Sequence, residues 1–392
     1  MIVIKNLLNA CFSRKVWRQI HNTLGVVCFI GFFIVCLTGG LYLFRDEIAR
    51  VVEPNRYYVE NVDEGSAPIP LDQLVKSVEK EVGSKVETIV APKDQKRTWR
   101  MILKAEGAGK RRGVLCDVDQ YSGNITGLGA DNEAKFFMGV RRWHTRLNLP
   151  KHIGRPLVDV CCGAALVLIL TGLRLWTPQN RSGLKRRLSI SFKGTAKHAL
   201  FDSHCAVGFY TTIPLALLVI SGLTFTFGEV HSDFAPRMNL KELTAEPIKQ
   251  LDERSLVNLV NFCLDDAKGK AFKVALPNNP KKQALCVEVT NGGFCSFVAP
   301  TVYYWNAENY SLLKKTSFRD MTLRGKFRAL VRECHMGDVF GLGSKIVFAI
   351  GCLGGIFLSL SGLSIVLARG SNSASKNKAK EERVCLADKK EE

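Results

Sequence analysis

Residues 21–44 read HNTLGVVCFIGFFIVCLTGGLYLF, in which a histidine stands at the start of an uncharged run. Residues 204–227 read HCAVGFYTTIPLALLVISGLTFTF and repeat this arrangement. In both stretches a glycine follows the histidine by four residues, and the glycine of a TGG or SGL triplet follows it by eighteen. A run of about 20 apolar residues crosses a bilayer as a helix. Each stretch therefore predicts a transmembrane span with a histidine at its entrance.

Two further apolar runs, residues 156–176 and 346–368, are also long enough to span a membrane. His144 stands 28 residues before the glycine of a TGL triplet in the first run, and His335 stands 27 before that of an SGL triplet in the second. The chain is thus an internal repeat of two halves. We predict a membrane α-helical fold, a four-helix transmembrane bundle with a pseudo-twofold repeat and two α+β units outside the membrane.

The basic residues around the spans predict the orientation of the chain. Lys and Arg precede the first span, and the link at 178–203 carries six bases with no acid before Asp202. Because such bases favour the cytoplasm, we expect both termini inside and both long segments in the periplasm. The predicted segments are the cytoplasmic N-terminus (1–20), first span (21–44), first periplasmic unit (45–143), outer histidine and second span (144–177), basic cytoplasmic loop (178–203), third span (204–227), second periplasmic unit (228–334), outer histidine and fourth span (335–368) and a disordered cytoplasmic tail (369–392).

Both periplasmic segments have the pattern of a helix followed by strands. Apolar residues at helical spacing predict helices at 70–82 and 255–265. Strands are predicted at 86–91, 98–104, 113–118 and 125–127 in the first unit, and at 271–276, 284–290, 294–298, 301–305 and 310–313 in the second. Cys286 and Cys295 flank a glycine-containing turn, and the sequence leaves open whether they form a disulfide.

Composition and missing motifs exclude several classes of function. The net charge of +19 is explained by the topology signal and by bases next to the membrane, so no nucleic-acid partner is predicted. The sequence contains no Walker A loop, no HExxH and no G-x-G-x-x-G after a predicted strand. We therefore expect no ATP-driven pump, no zinc protease and no flavin or NAD(P)H module.

The four repeat-related histidines predict two haem sites. Spans one and three leave the cytoplasm, which puts His21 and His204 at one inner depth, while His144 and His335 share an outer depth. Two imidazoles that face each other across a helix bundle can bind one haem iron from both sides. Since no CxxCH is present, the prediction is two non-covalent b-type haems. Arg142 and Arg332 are predicted either to bind propionates or an anionic substrate beside the outer pair, or to face lipid headgroups. His152 is a further residue that could line the outer site.

The chain resembles the PepSY-associated transmembrane family along nearly its whole length. The resemblance is carried by KVWRQIHNTLGVV before LTGGLYLFRDEI, by RRWHTRLNLP before the second span, by DSHCAVGFY before ISGLTFTF and by ECHMGDVFGLGSK before LSLSGLSIVL. The segments LCDVDQYSGNITG and TVYYWNAENYSLL resemble two small PepSY units, although the second lacks the family's usual proline-containing turn. The family is functionally mixed, and some members look like membrane haem reductases for ferric siderophores.

This resemblance implies a multi-pass protein of the bacterial inner membrane that acts as a ferric-siderophore reductase. Electrons would come from a separate cytoplasmic reductase or from quinol, and the reduction of Fe(III)-siderophore would release Fe(II). Two alternatives stay open at this point. One is a non-enzymatic PepSY membrane protein that binds a periplasmic partner or restrains a protease. The other is a transporter of haem or siderophore.

Overall fold

The computed structural model describes residues 13–59, 66–105, 113–178, 181–192, 194–226, 238–243, 247–251, 255–290 and 300–391. The chain separates into two compact units. The helical unit comprises Met1–Leu43, Gly139–Thr226 and Lys345–Glu392, and the sheet unit comprises Phe44–Met138 and Phe227–Ser344.

The described α-helices are thirteen in number. In chain order they are α1 (Arg14–Val27), α2 (Phe29–Leu43), α3 (Arg45–Val52), α4 (Pro54–Tyr57), α5 (Leu71–Val82), α6 (Asn132–Arg146), α7 (Lys151–Trp176), α8 (Arg181–Leu188), α9 (Ala196–Tyr210), α10 (Thr212–Thr226), α11 (Leu256–Ala267), α12 (Leu323–Met336) and α13 (Leu342–Glu391).

Two of the predicted spans are bent. Helices α1 and α2 meet at a bend of 66°, and α9 and α10 meet at a bend of 61°. The breaks fall at Cys28 and Thr211, each seven residues after a histidine, so the bend belongs to the repeat. Pro214 has no N–H to donate to the carbonyl of Tyr210, which accounts for the break in the second half. The first half has no proline there, and nothing in its sequence accounts for the matching bend.

The predicted four-helix bundle is therefore not confirmed as such. Within the described residues, two helices are long and apolar enough to cross a membrane, α7 and the Leu342–Arg369 part of α13. The number rises to four only if each bent pair counts as one span.

The connection between α6 and α7 is short and tightly packed. Leu147 and Asn148 both have positive φ angles, of 49° and 58°, and they reverse the chain between the two helices. A Cβ atom at Gly154 would lie 2.1 Å from the carbonyl oxygen of Arg146. Only glycine allows this close approach. The start of α7 can therefore pack directly against the end of α6.

The tail from residue 369 onward was predicted to be disordered, but its described part is helical in the structure. Helix α13 continues without a break through Glu391. The tail contains no proline, and after Gly370 it is rich in Lys, Glu and Ala, which are good helix formers. Its high content of charged residues suggested disorder, but the same residue types also favour a solvated helix.

In the described residues of the sheet unit, nine strands form one antiparallel sheet. They are β1 (Val86–Ala91), β2 (Trp99–Leu103), β3 (Val114–Val118), β4 (Ile125–Leu128), β5 (Lys249–Gln250), β6 (Ala271–Ala275), β7 (Leu285–Thr290), β8 (Thr301–Trp305) and β9 (Ser311–Thr316). The spatial order is β4-β3-β2-β1-β6-β7-β8-β9-β5. The structure confirms the strand predictions that fall on described residues, whereas 294–298 and Cys295 lie outside them.

The two predicted α+β units share this sheet and one core. Strand β1 pairs with β6, from Thr88 opposite Ala275 to Ala91 opposite Phe272. Helices α5 and α11 contact each other, and buried residues of both helices and both sets of strands form a single apolar cluster. The two predicted α+β segments are thus two halves of one sheet unit. Four backbone pairs between β1 and β6 and a common core join the halves. Without this pairing, each half-sheet would have an unpaired strand edge where the two now meet.

Candidate functional site

The predicted inner pair is brought together in the helical unit. His21 lies on α1 and His204 lies on α9, and their ring centroids are 6.4 Å apart with the ring planes at 88°. Two imidazoles that bind one metal from opposite sides, with metal–nitrogen distances of about 2 Å, have ring centroids about 6 to 6.5 Å apart. The observed spacing of 6.4 Å falls within this range.

A hydroxyl group from a neighbouring span contacts each of these rings. Nδ1 of His21 lies 2.9 Å from Oγ1 of Thr171 on α7. Nδ1 of His204 lies 2.8 Å from Oγ of Ser361 on α13. Thr171 and Ser361 begin the TGL and SGL triplets of the second and fourth spans. Each half of the repeat thus joins its first histidine to the triplet of its own second span.

The hydrogen-bond network assigns the tautomer of both rings. Thr171 donates its only hydroxyl proton to the carbonyl of Val167 at 2.8 Å, and Ser361 donates to Phe357 at 2.7 Å. With these donations in place, both hydroxyls are free to accept from Nδ1–H of the histidine, an arrangement that satisfies every one of these contacts. The proton on Nδ1 leaves a lone pair on Nε2, which is the form of imidazole that binds a metal.

The glycine of each triplet lies against the histidine ring. A Cβ atom at Gly172 would lie 3.3 Å from Cε1 of His21, and one at Gly362 would lie 3.3 Å from Cε1 of His204. A larger residue would displace the rings. The triplets therefore combine a hydroxyl that orients the imidazole with a small residue that gives it room.

The two histidines line a cavity of about 380 Å³, a volume in the range of small-molecule and cofactor sites. Its wall is mostly apolar and includes four of the glycines that the repeat relates: Gly25, Gly172, Gly208 and Gly362. Four arginines also line it: Arg14, Arg18, Arg187 and Arg369. The sequence interpretation treated Arg14, Arg18 and Arg187 as topology signals only. The helical spacing of Arg14, Arg18 and His21 was a signal that could have linked two of them to the site.

His144 has a similar environment beside the TGG triplet of the first span. It lies at the end of α6, and its Nδ1 lies 3.0 Å from the carbonyl oxygen of Val35 and 3.5 Å from Oγ1 of Thr38. Because a carbonyl can only accept, Nδ1 carries the proton in this ring too. A Cβ atom at Gly39 would lie 2.8 Å from Cε1 of His144.

His335 lies in the last turn of α12, which belongs to the sheet unit. The pairing of His335 with His144 therefore stays a prediction. Burial and the nearby Asp338 raise the pKa of Glu333, two residues before His335, to about 7.

The remaining candidate residues are Arg142, Arg332 and His152. Arg142 and Arg332 are exposed. Arg142 is two residues from His144, a spacing that puts two side chains on different faces of a helix, whereas Arg332 shares a face with His335. Their role at an outer site stays a prediction. His152 borders a shallow depression with Lys151, Arg155 and Asp159.

The residues present fit a macrocycle better than a bare metal ion. Among the residues that the structure describes, no three His, Cys, Asp or Glu side chains cluster as a metal site. A pair of imidazoles suits an iron whose other four ligands come from a porphyrin. The spacing of His21 and His204, their lone pairs on Nε2 and the apolar, glycine-lined cavity all agree with such a group.

A family model described as the PepSY-associated TM region matches residues 18–369. The chain belongs to this family. The match includes all four repeat-related histidines and both sets of strands, so the chain is a membrane protein of the PepSY-associated kind. A comparison with curated proteins found no match.

Proposed function

We propose that this PepSY-associated protein is a di-haem b oxidoreductase of the bacterial inner membrane. It reduces a periplasmic ferric siderophore with electrons from the cytoplasmic side. When bound, each haem supplies a one-electron Fe(III)/Fe(II) couple. The chain supplies the axial imidazoles, their orientation and an apolar surrounding that sets the reduction potential.

The observation that carries the proposal is the 6.4 Å spacing of the His21 and His204 rings. Thr171 and Ser361 support it, because a hydroxyl that accepts from Nδ1–H fixes the ring and raises the basicity of Nε2. The equivalent surroundings of His144 support a second site. Under the predicted topology, the two sites lie at two depths of the membrane.

Siderophore iron is proposed as the substrate from chemistry and from the resemblance of the chain. Oxygen donors bind Fe(III) much better than Fe(II), so one-electron reduction releases the iron. The sequence contains no nucleotide-binding motif, so a separate cytoplasmic reductase or quinol is the proposed electron donor. Bases near the predicted outer histidines, Arg142 and Arg332, would attract an anionic complex.

An absorption spectrum of the detergent-purified full chain, oxidised and dithionite-reduced, tests the haem. We expect the sharp α band of low-spin, six-coordinate iron and close to two haems b per chain in a pyridine haemochrome assay. A folded, haem-free preparation from haem-replete cells would contradict the proposal and favour a partner-binding PepSY protein.

Stopped-flow re-oxidation of the reduced protein tests the substrate. A ferric siderophore should re-oxidise the haem and produce ferrous iron that a ferrous chelator detects. Uptake of the siderophore by proteoliposomes without any reduction would instead favour a transporter.

A further inference from the structure

The cavity that holds His21 and His204 is strongly basic. Four of its described lining residues are arginines, and none is Asp or Glu. In the part of the chain that the structure describes, none of the four arginines forms an ion pair. Several guanidinium groups around a cavity with no carboxylate create a positive potential that attracts an anion.

Two of these arginines are held at the C-terminal end of α7. Arg14 donates from Nη2 to the carbonyl of Thr177 at 2.8 Å. Arg187 donates from Nη1 to the carbonyl of Leu175 at 2.7 Å and also to that of Trp176. These carbonyls have no partner within the helix, so the bonds stabilise the helix end and fix two guanidinium groups beside it.

Arg18 lies between this helix end and the histidine. Arg14, Arg18 and His21 follow one another at spacings of four and three residues and share one face of α1. Arg18 is therefore about 4.5 Å from His21 along the helix axis, and Arg14 is about 10.5 Å from it. The Arg18 side chain is exposed, so its charge is available to a ligand in the cavity.

We propose that Arg14, Arg18 and Arg187 form the carboxylate-binding end of the cavity and hold the propionates of the porphyrin whose iron His21 and His204 bind. This inference rests on the proposed function. Guanidinium groups bind carboxylates through paired hydrogen bonds, and a porphyrin carries its two carboxylates on one edge. The three arginines would thus hold the carboxylates beside the C-terminal end of α7, while the histidines would hold the iron.

A lipid phosphate offers similar chemistry, so the test must separate the two anions. The full-length apoprotein, with His144→Ala to leave only the inner site, is titrated in phosphatidylcholine nanodiscs. The ligands are haem b and haem b dimethyl ester, whose propionates are neutral. The parent is compared with Arg18→Gln and with Lys15→Gln, an exposed base on the same helix that does not line the cavity.

We expect Arg18→Gln to weaken haem b binding about tenfold and to leave binding of the ester unchanged. It should also shift the midpoint potential of the bound haem b to a more negative value, because an uncompensated propionate stabilises Fe(III). Lys15→Gln should change neither quantity. Arg18→Lys, which keeps the charge but not the paired geometry, should lie between the parent and Arg18→Gln.

Equal weakening of haem b and ester, or no weakening of either, would overturn the assignment. An effect of Arg18→Gln that occurs only in nanodiscs with phosphatidylglycerol would assign the arginines to lipid phosphate and overturn it as well. A parent protein that binds neither ligand would contradict the proposed function itself, which is a separate result.

Discussion

Oγ1 of Thr171 lies 2.9 Å from Nδ1 of His21, although 150 residues separate the two in sequence. Ser361 and His204, 157 residues apart, repeat the contact in the second half at 2.8 Å. In each half, the histidine of one span is therefore oriented by the hydroxyl of the other. The repeat conserves a contact between helices as well as the positions of the histidines.

The first prediction concerns the pairing of the histidines. His21→Ala and His204→Ala should each remove the same haem and lower the haem content from about two to about one per chain, because both rings belong to one ligand pair. The double variant should lose no more than either single variant. Pyridine haemochrome titration measures this, with His198→Ala, a histidine outside the cavity, as the control. Loss of both haems in the double variant would disprove the pairing.

The second prediction concerns the hydroxyls. Thr171→Val keeps the shape of the side chain but removes the hydroxyl that contacts Nδ1 of His21. We expect a loss of haem affinity of about 10- to 100-fold and a fraction of high-spin iron in the absorption spectrum. Thr171→Ser should restore both. Ser364→Ala is the control, because Ser364 on α13 makes the same type of bond to a backbone carbonyl but contacts no histidine in the described structure. A normal spectrum for Thr171→Val would exclude the orienting role.

The third prediction uses three glycines. A Cβ atom at Gly39 would lie 2.8 Å from the His144 ring, one at Gly172 would lie 3.3 Å from the His21 ring, and one at Gly163 meets nothing within 4 Å in the described residues. We therefore expect Gly39→Ala to disturb its histidine strongly, Gly172→Ala weakly and Gly163→Ala not at all. The low-spin signals in electron paramagnetic resonance spectra of the oxidised protein report each change. The opposite order would show that ring position does not depend on these contacts.

The fourth prediction concerns the stability of the sheet unit at acid pH. Asp266 accepts hydrogen bonds from Lys315 Nζ and Tyr303 Oη, both at 2.6 Å, and they hold the pKa of its carboxyl below the usual value. Because the folded pKa is depressed, this stabilisation is complete above the ordinary Asp pKa of about 4 and is lost as the pH falls through the folded value.

Asp266→Asn should therefore lower the free energy of unfolding by about 1 kcal/mol at neutral pH, since solvent screens a partly exposed pair. The difference from the parent should shrink as the pH falls below about 4. Denaturation followed by the fluorescence of the buried Trp305 measures it. Asp265→Asn, at the exposed neighbouring residue, is the control. A difference that stays constant through this pH range would mean that the charge of Asp266 is not the cause.

Local patterns predicted most of the elements. The strands of the sheet unit and helices α5 and α11 follow from apolar periodicity and turn residues within short windows. The pairing of β1 with β6 does not, because Thr88 and Ala275 are far apart in sequence and no local pattern records which strand edges meet. The bend in the third span had a signal, Pro214, whereas the bend at Cys28 had none.

The histidines of the site were predictable because the repeat makes them recur at fixed distances from a triplet. The spacing, however, relates each histidine to the triplet in its own span. The contacts instead run to the partner span, where Thr171 and Ser361 lie. Sequence spacing measures distance along one helix, and it carries no information on which side chains meet across two helices.

The pairing of β1 with β6 also has a consequence for how the protein is made. Residues Phe272–Ala275 complete the ladder with β1, and at about 5 to 20 residues per second they leave the ribosome roughly 10 to 40 s after β1. During that interval the first half-sheet has an open strand edge, which can pair with other extended chains. Biogenesis of this protein therefore includes an interval in which the nascent edge of β1 is open to aggregation until β6 has been synthesised.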